Sequence, residues 1–161
     1  MDLTEQDTIV SKIVETFSIT KVIDRRKHPT HGYRAVHVIA TLDERHIEIQ
    51  VRTHLQDLWA QAVERLADEA GREIRYGGPP HGRSEDVKNV LNLSNDIAEV
   101  ELALVKLRKI ETGLPQPRRA PFMQRELRLH FVQLQNLRAF LREREQTIRA
   151  KLEMIMARDD S

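Results

Sequence analysis

The sequence predicts an α+β fold: a small mixed β-sheet covered by helices, with a long C-terminal helical extension. Three observations carry this. Residues 32–53 read as two strands joined by a polar turn. The stretches on either side of them follow the 3.6-residue helical period. Two long amphipathic segments, separated by a proline-rich connection, fill the C-terminal half. The natural division is residues 1–80, which hold the strands, and residues 81–161, the helical extension. A chain of 161 residues is large enough to bury roughly two-thirds of its unfolded surface.

In chain order, Leu3 to Phe17 reads as an amphipathic helix, with Thr4 as N-cap and Ile9, Val10, Ile13, Val14 and Phe17 at helical spacing. Ser18 to Ile23 is a short strand. Asp24 to His31 (DRRKHPTH) is a loop broken by Pro29. The hairpin strands run from Tyr33 to Thr41 and from His46 to Arg52, with the turn at Asp43 to Arg45. A helix from Leu55 to Ala70 carries the apolar stripe Leu55, Leu58, Trp59, Ala62, Val63 and Leu66, and Gly71 stops it. After the turn-rich YGGPPHG, a helix begins at Ser84 with Glu85 and Asp86 in its first turn, where negative charge suits the helix dipole. It runs to Thr112. The connection Gly113 to Pro121 leads into a last helix, Met123 to Ala157, with Leu127, Leu134, Leu141, Ile148 and Ile155 seven residues apart. Arg138 and Glu145 interrupt the second apolar position that a coiled coil needs, so packing back on the domain or a partial oligomer contact fits better. No internal repeat is visible.

Charge and composition exclude several classes of function. Lys plus Arg number 26 and Asp plus Glu 25, so no global field points to nucleic acid or a membrane surface. There is no cysteine, hence no disulfide and no thiolate metal site. The first residues carry acids early and lack the apolar core of a signal peptide, and no run of eighteen apolar residues is present. A soluble, cytoplasmic protein is expected.

The hairpin holds the most chemistry. Ile47, Ile49 and Val51 fall on one face of the second strand, and His46, Glu48, Gln50 and Arg52 on the other. On the first strand Tyr33 and His37 share one parity, Val36 and Val38 the other. A register placing His37 opposite Gln50 gathers Tyr33, His37, Glu48, Gln50 and Arg52 on one face; a one-residue slip would pair them with Val and Ile. An aromatic, an imidazole, a carboxylate, an amide and a guanidinium together make a floor for a polar, anionic ligand. A solvated strand face can carry the same residue types, so the pattern alone leaves both readings open.

Resemblance adds to this. HGYRAVH followed by EIQVRT, set within DRRKHPTHGYRAVHVI, EIQVRTHLQDLWAQAVERLAD and RYGGPP, resembles the synthetase domain of the RelA/SpoT family, in its stand-alone branch, from about Lys21 to Pro80. The resemblance implies a nucleotidyltransferase-like fold and alarmone (ppGpp) synthesis in the stringent response. This is a GTP pyrophosphokinase activity that moves pyrophosphate from ATP to the 3′-hydroxyl of GDP or GTP with Mg²⁺. It implies that Tyr33 stacks on the acceptor guanine. It implies that Glu48 sits beside magnesium and the attacking hydroxyl, as metal ligand or general base. Gln50 and Arg52 would hold Glu48 and the acceptor, and His37 would bond the acceptor. The basic loop holding Arg25, Lys27 and His31 suits the acceptor's phosphates, although Pro29 and His31 stand where many family members have Lys and Asn. His28, His31, His37 and His46 converge on no common point that would favour zinc.

The family fold also includes an upstream basic segment that grips ATP and a strand with an acidic magnesium ligand. MDLTEQDTIVSKI aligns with the helix after that strand, so the resemblance implies a domain lacking its N-terminal half. Two classes of function follow. One is a synthetase whose ATP side is supplied elsewhere. The other is an inactive relative that binds a guanine nucleotide or forms oligomers through its C-terminal helices. A purely structural dimeriser would leave the hairpin motifs without a use.

Overall fold

A computed structural model describes residues 1–114 and 125–158, except for the side chains of residues 125–127. Helix α1 (Leu3–Thr16) is capped by Asp2 rather than by Thr4. The Asp2 carboxylate accepts from the Thr4 and Glu5 amides at 2.9 Å, and Glu5 reaches back to the Asp2 amide at 2.8 Å. This reciprocal box satisfies donors at both ends of the first turn, which a cap at Thr4 would leave open. The helix passes through Phe17 directly into β1 (Ser18–Asp24).

Strands β2 (Val36–Leu42) and β3 (Arg45–Val51) complete a sheet of order β1-β2-β3. Both pairings are antiparallel, with a bulge in β1 between Ile19 and Lys21. The expected mixed sheet is therefore corrected to a wholly antiparallel one. Parallel neighbours need a crossover of a dozen or more residues, and neither connection here provides it. The hairpin turn is only Asp43-Glu44, both left-handed at φ 47° and 61°, while Arg45 joins the ladder opposite Leu42. Two left-handed residues give the turn whose twist matches that of the strands.

Helix α2 (His54–Ala70) opens on a second capping box, Thr53 with Gln56, and ends at Gly71 (φ 101°). A short 3₁₀ turn (Arg72–Tyr76) leads to α3 (Ser84–Gly113), and α4 (Arg125–Ala157) returns along it. The expected helix start at Met123, and all of the proline-rich connection after Leu114, lie outside the described residues.

Two apolar layers hold these elements. Under the sheet, Val36, Val38, Ala40 and Val51 are buried on the side toward α1. The larger core joins α2, α3 and α4 through Trp59, Leu66, Val90, Ile97, Val100, Ile148 and Leu152. The C-terminal helices thus pack back on the body instead of projecting from it. Of the seven-residue series, Leu141, Ile148 and Ile155 are buried. Arg83, itself left-handed at φ 48°, ties the far end by donating to the Ile155 carbonyl at 2.9 Å and pairing with Asp86 at 3.0 Å. Among the described residues no helix is long and apolar enough to cross a membrane.

The core also sets the turn that leads into the hairpin. The first hairpin strand begins at Val36 and not at Tyr33 as expected, because Tyr33 is held in an isolated bridge to Thr30. Gly32 has φ 85°, and a Cβ there would lie 2.8 Å from the Trp59 ring. The Gly32 carbonyl accepts from Ser94 of α3 at 2.5 Å. Tyr33, next in line, packs against the core at its edge.

Candidate functional site on the open face of the sheet

In the β2–β3 ladder His37 lies opposite Gln50 and Ile39 opposite Glu48. The alternation of β3 is clear in its burial: Val51 is buried and Ile47 and Ile49 half-buried, while Glu48 and Gln50 are exposed. Tyr33, His37, Glu48, Gln50 and Arg52 come together on one face as a connected hydrogen-bond network. The His37 Nδ1 meets the Glu48 carboxylate, and its Nε2 lies 3.0 Å from the Tyr33 hydroxyl. That hydroxyl donates to Gln50 Oε1 at 3.1 Å and accepts from Arg52 at 3.1 Å. Gln50 donates its amide to the second Glu48 oxygen at 3.2 Å and accepts from Arg52.

The rings are ordered as well. Tyr33 and His37 meet edge to face at 89° with centroids 5.5 Å apart. The Arg52 guanidinium sits 5.3 Å from the Tyr33 centroid, a cation–π contact. Asp57, one turn into α2, accepts from Arg52 at 3.2 Å.

Electrostatics follow the geometry. The hydrogen bond from His37, then that from Gln50, holds the Glu48 carboxyl below the usual glutamate range despite slight desolvation. Partial burial works against the charge on Arg52, but the Tyr33 hydroxyl and Asp57 outweigh it and leave the guanidinium more firmly protonated. The Arg52 Nε is buried with no hydrogen-bond partner among the described residues. At the free edge of β3 a cavity of about 480 Å³ is lined by Ile13, Ile49, Gln50, Arg52 and Asp57.

The basic loop stands apart from this network. Arg25 donates to Thr30 at 3.2 Å, and exposed Lys27 lies 3.9 Å from Asp24. His31, left-handed at φ 49°, packs its imidazole over Gly77. Lys27 lines a different cavity, of about 420 Å³, with Arg34, Glu101 and the first turns of α1. The inward residue of the loop is Arg26, which forks onto Asp24 at 2.8 and 2.9 Å and reaches Asp7 at 2.7 Å.

Four residues around the site escaped sequence reasoning: Asp57 and the buried set Gln6, Gln56 and Glu101. The Gln56 signal was present, because Thr-x-x-Gln is a capping box. Glu101 carried none; it lies within a helix among other charged residues. As for metal, no group of three or more His, Asp or Glu among the described residues is arranged to hold an ion. Glu48 is the one carboxylate within the five-residue network, a donor set that fits magnesium only with phosphates and water completing its shell.

Comparison with known proteins gives the chain's similarities without a function. Uncharacterised proteins of Mycobacterium bovis and of two Mycobacterium tuberculosis strains are each 46% identical to it over 80 residues. The match covers 48% of this chain and 29% of each relative, so the chain spans less than a third of the length of those relatives. No family model matches it. No solved structure matches it.

Proposed function

We propose that the open face of the sheet is the acceptor half-site of an alarmone synthetase, binding GDP or GTP for transfer of pyrophosphate from ATP to the 3′-hydroxyl. The observation that carries this reading is the connected network Tyr33–His37–Glu48–Gln50–Arg52, whose five members also fall within the RelA/SpoT-like motifs. Tyr33 offers an aromatic ring for stacking on the guanine, with the Arg52 guanidinium beside it. Arg52, firmly charged, supplies donors for a phosphate or the ribose. Gln50 and His37 fix the Glu48 carboxylate from both sides.

Glu48 is ionised throughout the neutral range because His37 and Gln50 both favour the anion. Its weak basicity suits it to orient the 3′-hydroxyl and to ligate magnesium more than to remove a proton outright. Magnesium, held by Glu48 together with nucleotide phosphates, would neutralise charge on the transferring group. The donor side of the reaction is the part that the resemblance assigns to segments beyond the matched residues, so ATP is a partner of the whole synthetase.

Calorimetry with GDP, GTP and ADP tests the reading. It requires weak binding that favours the guanine nucleotides. Equal affinity for GDP and ADP, or none for either, would remove it. A second reading, oligomerisation through the C-terminal helices, is favoured by the exposed Leu129, Val132, Leu137 and Phe140 on α4. Sedimentation of the wild type beside a Val132→Lys, Phe140→Lys variant separates it: only a contact through this face gives an oligomer that those lysines dissolve.

A further inference from the structure

Behind the open face lies a buried polar cluster that takes no part in the surface network. Gln6, Thr53, Gln56 and Glu101 come from α1, the β3–α2 junction, α2 and α3, and each is at most 8% exposed. Buried polar groups are retained at a cost unless every donor meets an acceptor. Gln6 Nε2 donates to the Val51 carbonyl at 2.7 Å and to Gln56 Oε1 at 2.9 Å. Gln56 Oε1 also accepts from the Thr53 amide at 3.2 Å. Arg26 closes the outer side by donating to Gln6 Oε1 at 3.1 Å.

These bonds fix which way each group points. Gln56 Oε1 already receives two donors, so its Nε2 must face the other way, and there it donates to Glu101 Oε2 at 3.0 Å. Thr53 Oγ1 accepts from the Gln56 amide at 3.2 Å, which leaves its proton for the other Glu101 oxygen. Both neighbours therefore present protons to Glu101, one to each oxygen, an arrangement that the carboxylate meets best. Burial raises the Glu101 carboxyl above the usual range, and the bonds from Thr53 and Gln56 oppose that rise by stabilising the anion.

What the cluster holds is the backbone on both sides of Arg52. The carbonyl of Val51 and the amide of Thr53, the residues flanking it, are each bonded to a buried amide that Glu101 orients directly or at one remove. The Arg52 side chain then leaves this clamp toward Tyr33 and Gln50 on the opposite face.

We propose that Glu101 is a positioning residue: through Thr53 and Gln56 it sets the β3–α2 junction and thereby aims the Arg52 guanidinium at the Tyr33 hydroxyl. Its relevance to nucleotide affinity rests on the acceptor-site reading above, whereas the positioning itself does not.

The donor–acceptor polarity gives a test that a generic packing role would fail. Glu101→Gln leaves one acceptor oxygen for two donors, so a proton presented by Thr53 or Gln56 loses its acceptor. The double variant Gln56→Glu, Glu101→Gln restores every match by exchanging the two groups. The amide now carried by α3 accepts from Thr53 through its oxygen and donates through its nitrogen to the carboxylate now carried by α2. The other oxygen of that carboxylate receives Gln6 and the Thr53 amide.

The readout is the NMR resonances of the Arg52 side chain and the Tyr33 ring in the full chain, with GDP affinity as a second measurement. The proposal requires that Glu101→Gln shifts both sets of resonances, or fails to fold, and that the double variant returns them to the wild-type positions. If GDP binds the wild type, Glu101→Gln weakens it by about tenfold, the equivalent of one misdirected buried bond. Arg52 and Tyr33 resonances unmoved in folded Glu101→Gln would overturn the proposal, as would a double variant no better than the single one. A wild type that ignores GDP while the resonances shift and recover would overturn the acceptor-site reading and leave Glu101 in its positioning role.

Discussion

His37 stands directly opposite Gln50 in the β2–β3 ladder, and that one pairing decides which face of the sheet carries chemistry. It puts the imidazole, the Glu48 carboxylate and the Tyr33 hydroxyl within one network while Val36, Val38 and Val51 go under α1. The turn that sets this register is strained: Glu44 holds φ 61°, a region that costs an ordinary residue about 1–2 kcal/mol. Glu44→Gly should relieve that strain and, after the extra chain entropy of glycine, raise stability by on the order of 0.5–1 kcal/mol. Urea unfolding of the two proteins measures it. A loss of stability would mean that the turn is not built on two left-handed residues.

Gly32 couples the core to the site. Alanine there would force a Cβ to 2.8 Å from the Trp59 ring in a backbone that disfavours it. Gly32→Ala is expected to cost about 1–3 kcal/mol and to move the adjacent Tyr33. Thermal unfolding together with Tyr33 ring resonances checks both parts; a variant as stable as the wild type would show that the close approach is absent.

Glu48 gives a pH dependence with a definite sign. Its folded pKa is lowered, chiefly by His37, so the stability it contributes is complete above the ordinary glutamate pKa. That contribution is lost as pH falls through the lower, folded value. The exposure of this carboxylate makes the effect small. Wild type and Glu48→Gln should differ in stability at about pH 6 and converge in acid below the ordinary glutamate range. A difference that instead grows on acidification would contradict the His37–Glu48 bond.

Much of this was legible in the sequence for a physical reason. Strict alternation in β3 admits only registers that keep Ile47, Ile49 and Val51 on the buried side, so His37, Glu48, Gln50 and Arg52 could be placed together from parity. Tyr33, ahead of β2, reaches them from the turn at Gly32. The Leu55 to Leu66 stripe located α2 in the same way. The antiparallel hairpin was legible from its short turn, whereas the direction of β1 against β2 was misjudged. Apolar alternation looks alike in both pairings, and only the shortness of the connecting loop tells against a parallel one. The inward member of the loop Arg25, Arg26, Lys27, His28 was not legible: a run of consecutive basic residues carries no sign of which one Asp24 and Asp7 will take. Glu101 was hidden for a related reason. Its partners Thr53 and Gln56 lie more than forty residues away in the chain, and burial of a helical glutamate becomes visible only once those donors surround it.

Tyr33 separates stacking from hydrogen bonding. On the proposed acceptor-site reading, Tyr33→Ala removes the ring and should weaken guanine nucleotide binding by about 1–3 kcal/mol. Tyr33→Phe keeps the ring but strips a hydroxyl shared by His37, Gln50 and Arg52. It should therefore retain much of the affinity while the imidazole and guanidinium resonances move. Calorimetry and NMR on the pair decide between the two roles. Equal losses in both variants would place the binding energy in the hydroxyl and not in the stack.

The last prediction concerns transfer itself, in a synthetase reconstituted with the ATP-binding half that the resemblance implies. There Glu48→Gln should abolish pyrophosphate transfer and leave GDP binding largely intact. The amide keeps the size of the side chain but accepts through one oxygen, so it can keep the bond from His37 or that from Gln50 but not both. It also carries no charge for a cation and no acceptor strength for the 3′-hydroxyl. Because His37 already holds the wild-type carboxyl ionised, Glu48 should not limit the rate on the acid side until pH drops below the ordinary glutamate range. Radiolabelled ATP with GDP or GTP, followed from about pH 4 to 8 for both proteins, tests each step. A Glu48→Gln enzyme that transfers at the wild-type rate would take Glu48 out of the chemistry. Intact activity of the wild type with an acid limb near neutrality, absent from the Gln variant, would instead make Glu48 a general base whose anion the network fails to favour.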